Sequence, residues 1–127
     1  MNCNNDVRQV LARNLKLLMH RRTPRWTQKE LGKAAGVGQR TVGNMLRGAT
    51  VDGISGATLD RIEAVACVFG LKSWQLTYPG LPEILDDLHS VTDVLTGFQL
   101  ADNHGRELIH TVAEREAKYR TPHTDCP

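Results

Sequence analysis

Aromatic side chains are scarce in this chain, 5% of 127 residues, and the rest of the composition is ordinary for a globular protein. No apolar run approaches the roughly 20 residues that a helix needs to cross a bilayer, so no membrane span is expected. The N-terminal stretch MNCNNDVRQV lacks the basic-then-apolar order of a signal peptide, and a cytoplasmic location follows as the expectation. Cys3, Cys67 and Cys126 are an odd number without close spacing, which argues against a disulfide framework and for a reducing compartment. Cys67 falls in an apolar helical run and is assigned to the core.

Catalytic patterns are missing as well. The chain has no phosphate-cradling glycine loop, no triad spacing and no carboxylate pair in a pocket-like context. His123 and Cys126 lie near each other, with His104 and His110 not far upstream, but the two further tight ligands of a zinc site are absent. The expectation is a protein that is not an enzyme and that holds no metal and no cofactor.

The length suits one domain, or one small domain with an extension. The formal net charge is only +2, yet the halves differ in sign. Residues 1–80 hold twelve Lys/Arg against five Asp/Glu, and residues 81–127 hold four against nine. A basic half fits a polyanionic partner; an acidic half fits an element kept away from it, such as an oligomerisation segment. Two ordinary solvated surfaces are the alternative reading.

The most informative stretch is Thr27 to Gly48, TQKELGKAAGVGQRTVGNMLRG. Thr27 and Glu30 have the spacing of a capping box. Leu31, Ala34 and Ala35 give the helix that follows an inner face, and Gly36 stops it. A second helix is predicted from Gln39 to Arg47, with Val42, Met45 and Leu46 apolar, and Gly48 closes it. Its other face carries Gln39, Arg40, Thr41, Gly43, Asn44 and Arg47. Arg can grip guanine, and Gln or Asn can grip adenine, through paired hydrogen bonds in the major groove. Gly43 costs that helix about 1 kcal/mol relative to alanine, which suggests that something approaches its backbone closely.

The segment GVGQRTVGNMLRG resembles, without a gap, the turn and recognition helix of the lambda repressor and Cro-like family of phage and bacterial regulators. The resemblance extends over roughly residues 7 to 78. It implies an all-α fold, with a five-helix lambda-repressor-like DNA-binding domain in residues 1–80. It further implies that Gln28 binds a DNA phosphate and braces the first residue of the recognition helix, Gln39. Thr50 would meet a phosphate or a base edge, or simply belong to a connector. Self-cleaving members of the family carry a larger protease-like domain behind, for which residues 81–127 are too few.

Around this stretch, Asn5 or Asp6 can cap a first helix reaching Arg21, with Val7, Val10, Leu11, Leu15 and Leu18 on its buried side. Arg13, Lys16, Arg21, Arg22 and Arg25 either reach phosphates or cover the helix surface. Trp26 has the place of a hydrophobic staple and is assigned to the core. Thr58 caps a fourth helix lined by Leu59, Ile62, Ala66 and Phe69, which Gly70 and Leu71 finish. Ser73 caps a short fifth helix.

Beyond Leu81, Pro82 can start a helix whose apolar stripe is Ile84, Leu85, Leu88, Val91 and Leu95, interrupted at Gly97. A last helix spans about Asn103 to Tyr119, with Leu108, Ile109, Val112 and Tyr119 inward. Residues 81–120 form two additional C-terminal helices, and residues 121–127 are expected to be a disordered tail. The stripe either packs on the first domain or pairs with a second copy.

These readings combine into a sequence-specific regulator of transcription that binds a double-stranded DNA operator as a homodimer. Gln39, Arg40 and Asn44 would read bases; Gln28, Thr41, Arg47, Thr50 and Arg25 would hold phosphates. The alternatives are an antitoxin-like regulator whose C-terminal helices bind a protein toxin, and a protein-interaction module of the same fold that binds no DNA.

Overall fold

Helix α1 (Val7–Arg21) opens where the Asp6 carboxylate accepts the Arg8 N–H at 3.0 Å, the service that short polar side chains give to a helix start. A computed structural model describes residues 6–48 and 58–120, and within them the secondary structure is all-helical. The further helices are α2 (Gln28–Ala35), α3 (Gln39–Arg47), α4 (Leu59–Val68), α5 (Ser73–Leu76), α6 (Leu81–Ile84), α7 (Leu88–Leu100) and α8 (Asn103–Arg120). A 3-10 turn, Leu85–Asp87, separates α6 from α7. None of the described helices is long and apolar enough to cross a membrane. The chain divides into two compact units, Met1–Leu85 and Asp86–Pro127.

In the first unit α1 packs on α3, α5 and α6, while α4 packs on α2 and α5. Leu15, Leu31, Val42, Val65, Leu76 and Leu81 lose all contact with solvent, each burial contributing roughly 1.5–3 kcal/mol. One polar side chain joins them. Asn14 is fully buried, and its Nδ2 donates to the carbonyls of Leu76 and Tyr78, both at 2.8 Å. Leu76 ends α5, where helical partners run out, and the Tyr78 carbonyl, just beyond it, also accepts the Leu81 N–H at 3.1 Å. The neighbouring Arg13 guanidinium donates to the Pro79 carbonyl. Together they tie α1 to the chain as it leaves α5.

Several sequence expectations change here. Cys67 is exposed, because α4 buries its Val65–Ala66 side and Cys67 lies further round the helix. Leu59 is exposed in the first turn of α4, and Val7 in the first turn of α1. Ala34 faces solvent. The N-cap of α5 is Lys72 rather than Ser73, its N–H donating to Gln75 Oε1 at 2.8 Å. Asn5 and the tail 121–127 lie outside the described residues.

The first unit also runs past Gly80. Leu81 is buried and α6 packs on α1, so the core reaches Leu81 and the compact unit ends at Leu85. The stripe read as one helix face is therefore cut. Ile84 ends α6, Leu85 lies in the 3-10 turn, and only Leu88, Val91 and Leu95 belong to α7. Gly97 does not interrupt α7, which continues to Leu100. In α8, Leu108, Val112 and Tyr119 are exposed rather than inward.

Candidate nucleic-acid interface

The Thr27 hydroxyl accepts the Glu30 N–H at 3.1 Å and donates to Glu30 Oε1 at 2.8 Å. The Thr27 side-chain cap fixes where α2 begins, and the Glu30 carboxylate orients its hydroxyl. The helix ends at Gly36, whose φ of 73° is left-handed backbone that glycine adopts at little cost. Val37 N–H then returns to the Gly32 carbonyl at 2.9 Å, closing the turn before α3.

Gly32, which the sequence pattern did not single out, sets how closely that turn can approach. A Cβ built on it would lie 2.9 Å from the Val37 carbonyl oxygen and 3.3 Å from Gln39 N. Only a bare backbone lets the start of α3 lie this near α2. A glycine within an otherwise sound helix was the available signal.

Helix α3 has two sharply different sides. Val42 and Met45 are buried, which fixes its rotation on α1 and α2. Gln39, Arg40 and Arg47 are exposed, and Thr41 and Asn44 are half-buried beside them. Arg47 Nη1 donates to Asn44 Oδ1 at 3.3 Å, linking the guanidinium to the amide one turn before it. Gly38 caps α3 without a side-chain hydrogen bond, its carbonyl accepting the Thr41 and Val42 N–H groups at 3.0 and 3.3 Å.

The close approach inferred at Gly43 is real, and it comes from within the chain. A Cβ on Gly43 would lie 3.1 Å from Gln28 Oε1. The Gln28 side chain thus rests against the middle of α3. Among the described residues no hydrogen bond joins Gln28 to Gln39, and the side chain of Gln28 lies against the α3 backbone at Gly43.

Beside Gln28 lies an open recess of about 600 Å³, whose lining includes the apolar Met19, Trp26 and Leu46 and the polar Lys16, Arg25 and Gln28. Trp26 is half-buried. Its ring carries the Arg22 guanidinium 3.9 Å from its centre, a cation–π contact, and meets Phe69 edge-on at 6.4 Å. From Arg21 to Arg47 the sequence holds seven Lys/Arg and one carboxylate, Glu30, and Glu30 is engaged by its cap. The surface of this segment is therefore strongly electropositive.

Of the sequence-predicted residues, Gln39, Arg40, Thr41, Asn44 and Arg47 share α3, and Gln28 and Arg25 lie at the recess beside it. Thr50 lies outside the described residues. Among those residues no group of three His, Cys, Asp or Glu side chains could hold a metal ion. Comparison with protein-family models, with curated proteins and with solved structures gives no match for this chain.

Proposed function

We propose that the first unit binds double-stranded DNA sequence-specifically and thereby regulates transcription, with α3 entering the major groove. The observation that carries this reading is the division of α3. Val42 and Met45 lock one side into the core, while Gln39, Arg40 and the linked Asn44–Arg47 pair stand on the other. A helix is about 10–12 Å across, the width of the major groove, where Arg and the amides have matching partners on base edges. The arrangement α1–α5 around one core, with the tight Gly36–Gly38 turn, supports a five-helix fold of lambda repressor and Cro-like type. In this reading Gln39, Arg40 and Asn44 discriminate bases. Lys16, Arg25, Gln28, Thr41 and Arg47 meet phosphates, and the cations among them supply affinity by counterion release.

The test is substitution on the best site selected from random duplexes. Gln39→Ala and Arg40→Ala should each cost about 1–3 kcal/mol there and relax preference at one base position. Arg47→Ala should weaken binding to all sequences and, by releasing the Asn44 amide, also blur one position. An unchanged sequence preference in Arg40→Ala would show that the reading face is wrongly assigned.

A further inference from the structure

Trp26 has the sequence position of a staple residue, yet its ring is only half-buried. It forms part of the wall of the recess that residues of α1, α2 and α3 enclose with the loop after α1. That wall is held from several directions. The Trp26 backbone N–H donates to the Met19 carbonyl at 3.3 Å. The Arg22 guanidinium lies 3.9 Å from the ring centre, and Phe69 meets the ring edge-on. The recess is therefore formed before anything enters it, as small-molecule sites usually are. Its volume of about 600 Å³ falls within the roughly 300–1,000 Å³ typical of such sites.

The lining combines two kinds of side chain. Met19, Trp26 and Leu46 are apolar, and Lys16, His20 and Arg25 are basic. Thr27 and Gln28 complete it and carry no charge. Glu30 is the one carboxylate between Arg21 and Arg47; it is hydrogen-bonded to the Thr27 hydroxyl and does not line the recess. Among the described residues, the side chains of Lys16 and Arg25 make no hydrogen bond or ion pair, and both are exposed. Each can turn toward an anion without breaking an existing contact.

Charge thus selects an anion as the occupant, and the apolar lining selects what that anion is attached to. A bare phosphate would be held by the cations alone and would leave Trp26 and Leu46 without a part. An aromatic ring gives them one, because it packs on the indole in stacked or edge-on geometry, and the Met19 thioether suits the same partner.

We infer that the recess binds a small aromatic carboxylate, its ring against Trp26 and Leu46 and its carboxylate paired with Lys16 and Arg25. The site does not depend on what α3 binds. If DNA phosphates use the same two cations, a bound carboxylate and a DNA strand are rivals for them.

Titration of the full chain with 2-naphthoate, without DNA, tests the site by nuclear magnetic resonance. The chain has two tryptophans, and Trp74, on α5, lies outside the recess, so its indole N–H signal is an internal control. The Trp26 indole signal should move saturably at millimolar concentration or below, while that of Trp74 stays in place. 2-Naphthamide keeps the shape and lacks the charge; inorganic phosphate keeps the charge and lacks the ring. Each should bind at least about tenfold more weakly than naphthoate. Lys16→Gln and Arg25→Gln should each weaken naphthoate about tenfold and leave naphthamide unchanged. Lys33→Gln, which removes an exposed cation outside the recess, should change neither. Where a variant misfolds, the three ligands compared on the unaltered chain carry the test. A Trp26 signal that does not move overturns the site, as does naphthamide or phosphate binding as tightly as naphthoate. Equal losses from Lys16→Gln and Lys33→Gln, or signal movements centred on the exposed apolar residues of α7 and α8, overturn it too.

Discussion

Replacing Gly32 or Gly43 by alanine adds the same methyl group to α2 or α3, with opposite expected results. At Gly32 the methyl would sit 2.9 Å from the Val37 carbonyl oxygen, 3.3 Å from Gln39 N and 3.4 Å from Gln39 Cα. All three are backbone atoms, and the turn they belong to is pinned by the Val37-to-Gly32 hydrogen bond. Overpacking of this kind costs about 1–3 kcal/mol, and pinned backbone places it in the upper part of that range. Alanine returns about 1 kcal/mol of helix propensity, leaving a net loss of about 1–2 kcal/mol. For a domain of this size that lowers the melting temperature by roughly 5–15 °C. At Gly43 the obstruction is the end of a flexible side chain, Gln28 Oε1 at 3.1 Å, which can swing aside. Propensity then prevails, and Gly43→Ala should melt at the same temperature or a few degrees higher. It should also bind DNA more weakly, because Gln28 has been displaced. Thermal unfolding followed by circular dichroism measures both variants. Equal destabilisation by the two, or a neutral Gly32→Ala, would refute the reasoning.

Asn14→Ala removes one buried and one part-buried hydrogen bond and takes the Asn14 partner from the Leu76 carbonyl, while the Tyr78 carbonyl keeps the Leu81 N–H, at an expected cost of about 1–3 kcal/mol in urea unfolding; no measurable loss would deny Asn14 its structural role. In Asn14→Asp the introduced carboxyl can donate to those carbonyls only when protonated. Its pKa in the folded protein is raised by burial, so stability relative to the unaltered chain should be greatest at low pH and fall as pH rises. A variant that gains relative stability from acid to neutral pH would reverse that sign. Thr27→Ala should cost about 0.5–2 kcal/mol, and Thr27→Ser should restore most of it; equal losses would mean that the hydroxyl is not what holds the start of α2.

The features legible in the sequence are the local ones. Thr27 and Glu30 stand three residues apart, and Gly36 ends the same helix, so cap and stop are written within ten residues and the structure has them there. The bounds Gln39–Arg47 follow from the same local grammar. Asn14 was invisible because its partners lie sixty-two and sixty-four positions away; an amide amid Leu11, Leu15 and Leu18 was the only trace of it. Gly43 stands out within its helix, but the sequence does not name its neighbour, since Gln28 reaches it through the packing of α2 on α3. The C-terminal stripe misled for a related reason. Hydrophobic period alone does not register that Leu81 completes the first core or that Asp86 and Asp87 fall where the helix breaks.

Selection of bound duplexes from a random DNA pool, followed by titration of the winner, addresses DNA reading by α3 most directly. The expected result is a defined site bound at least about a thousandfold more tightly than scrambled sequence. Its log affinity should fall linearly with log salt between about 50 and 200 mM, and Arg40→Ala should lose the preference at one base position. A pool that shows no enrichment, or binding that is indifferent to salt, would contradict the assignment of α3 and its basic surroundings to DNA.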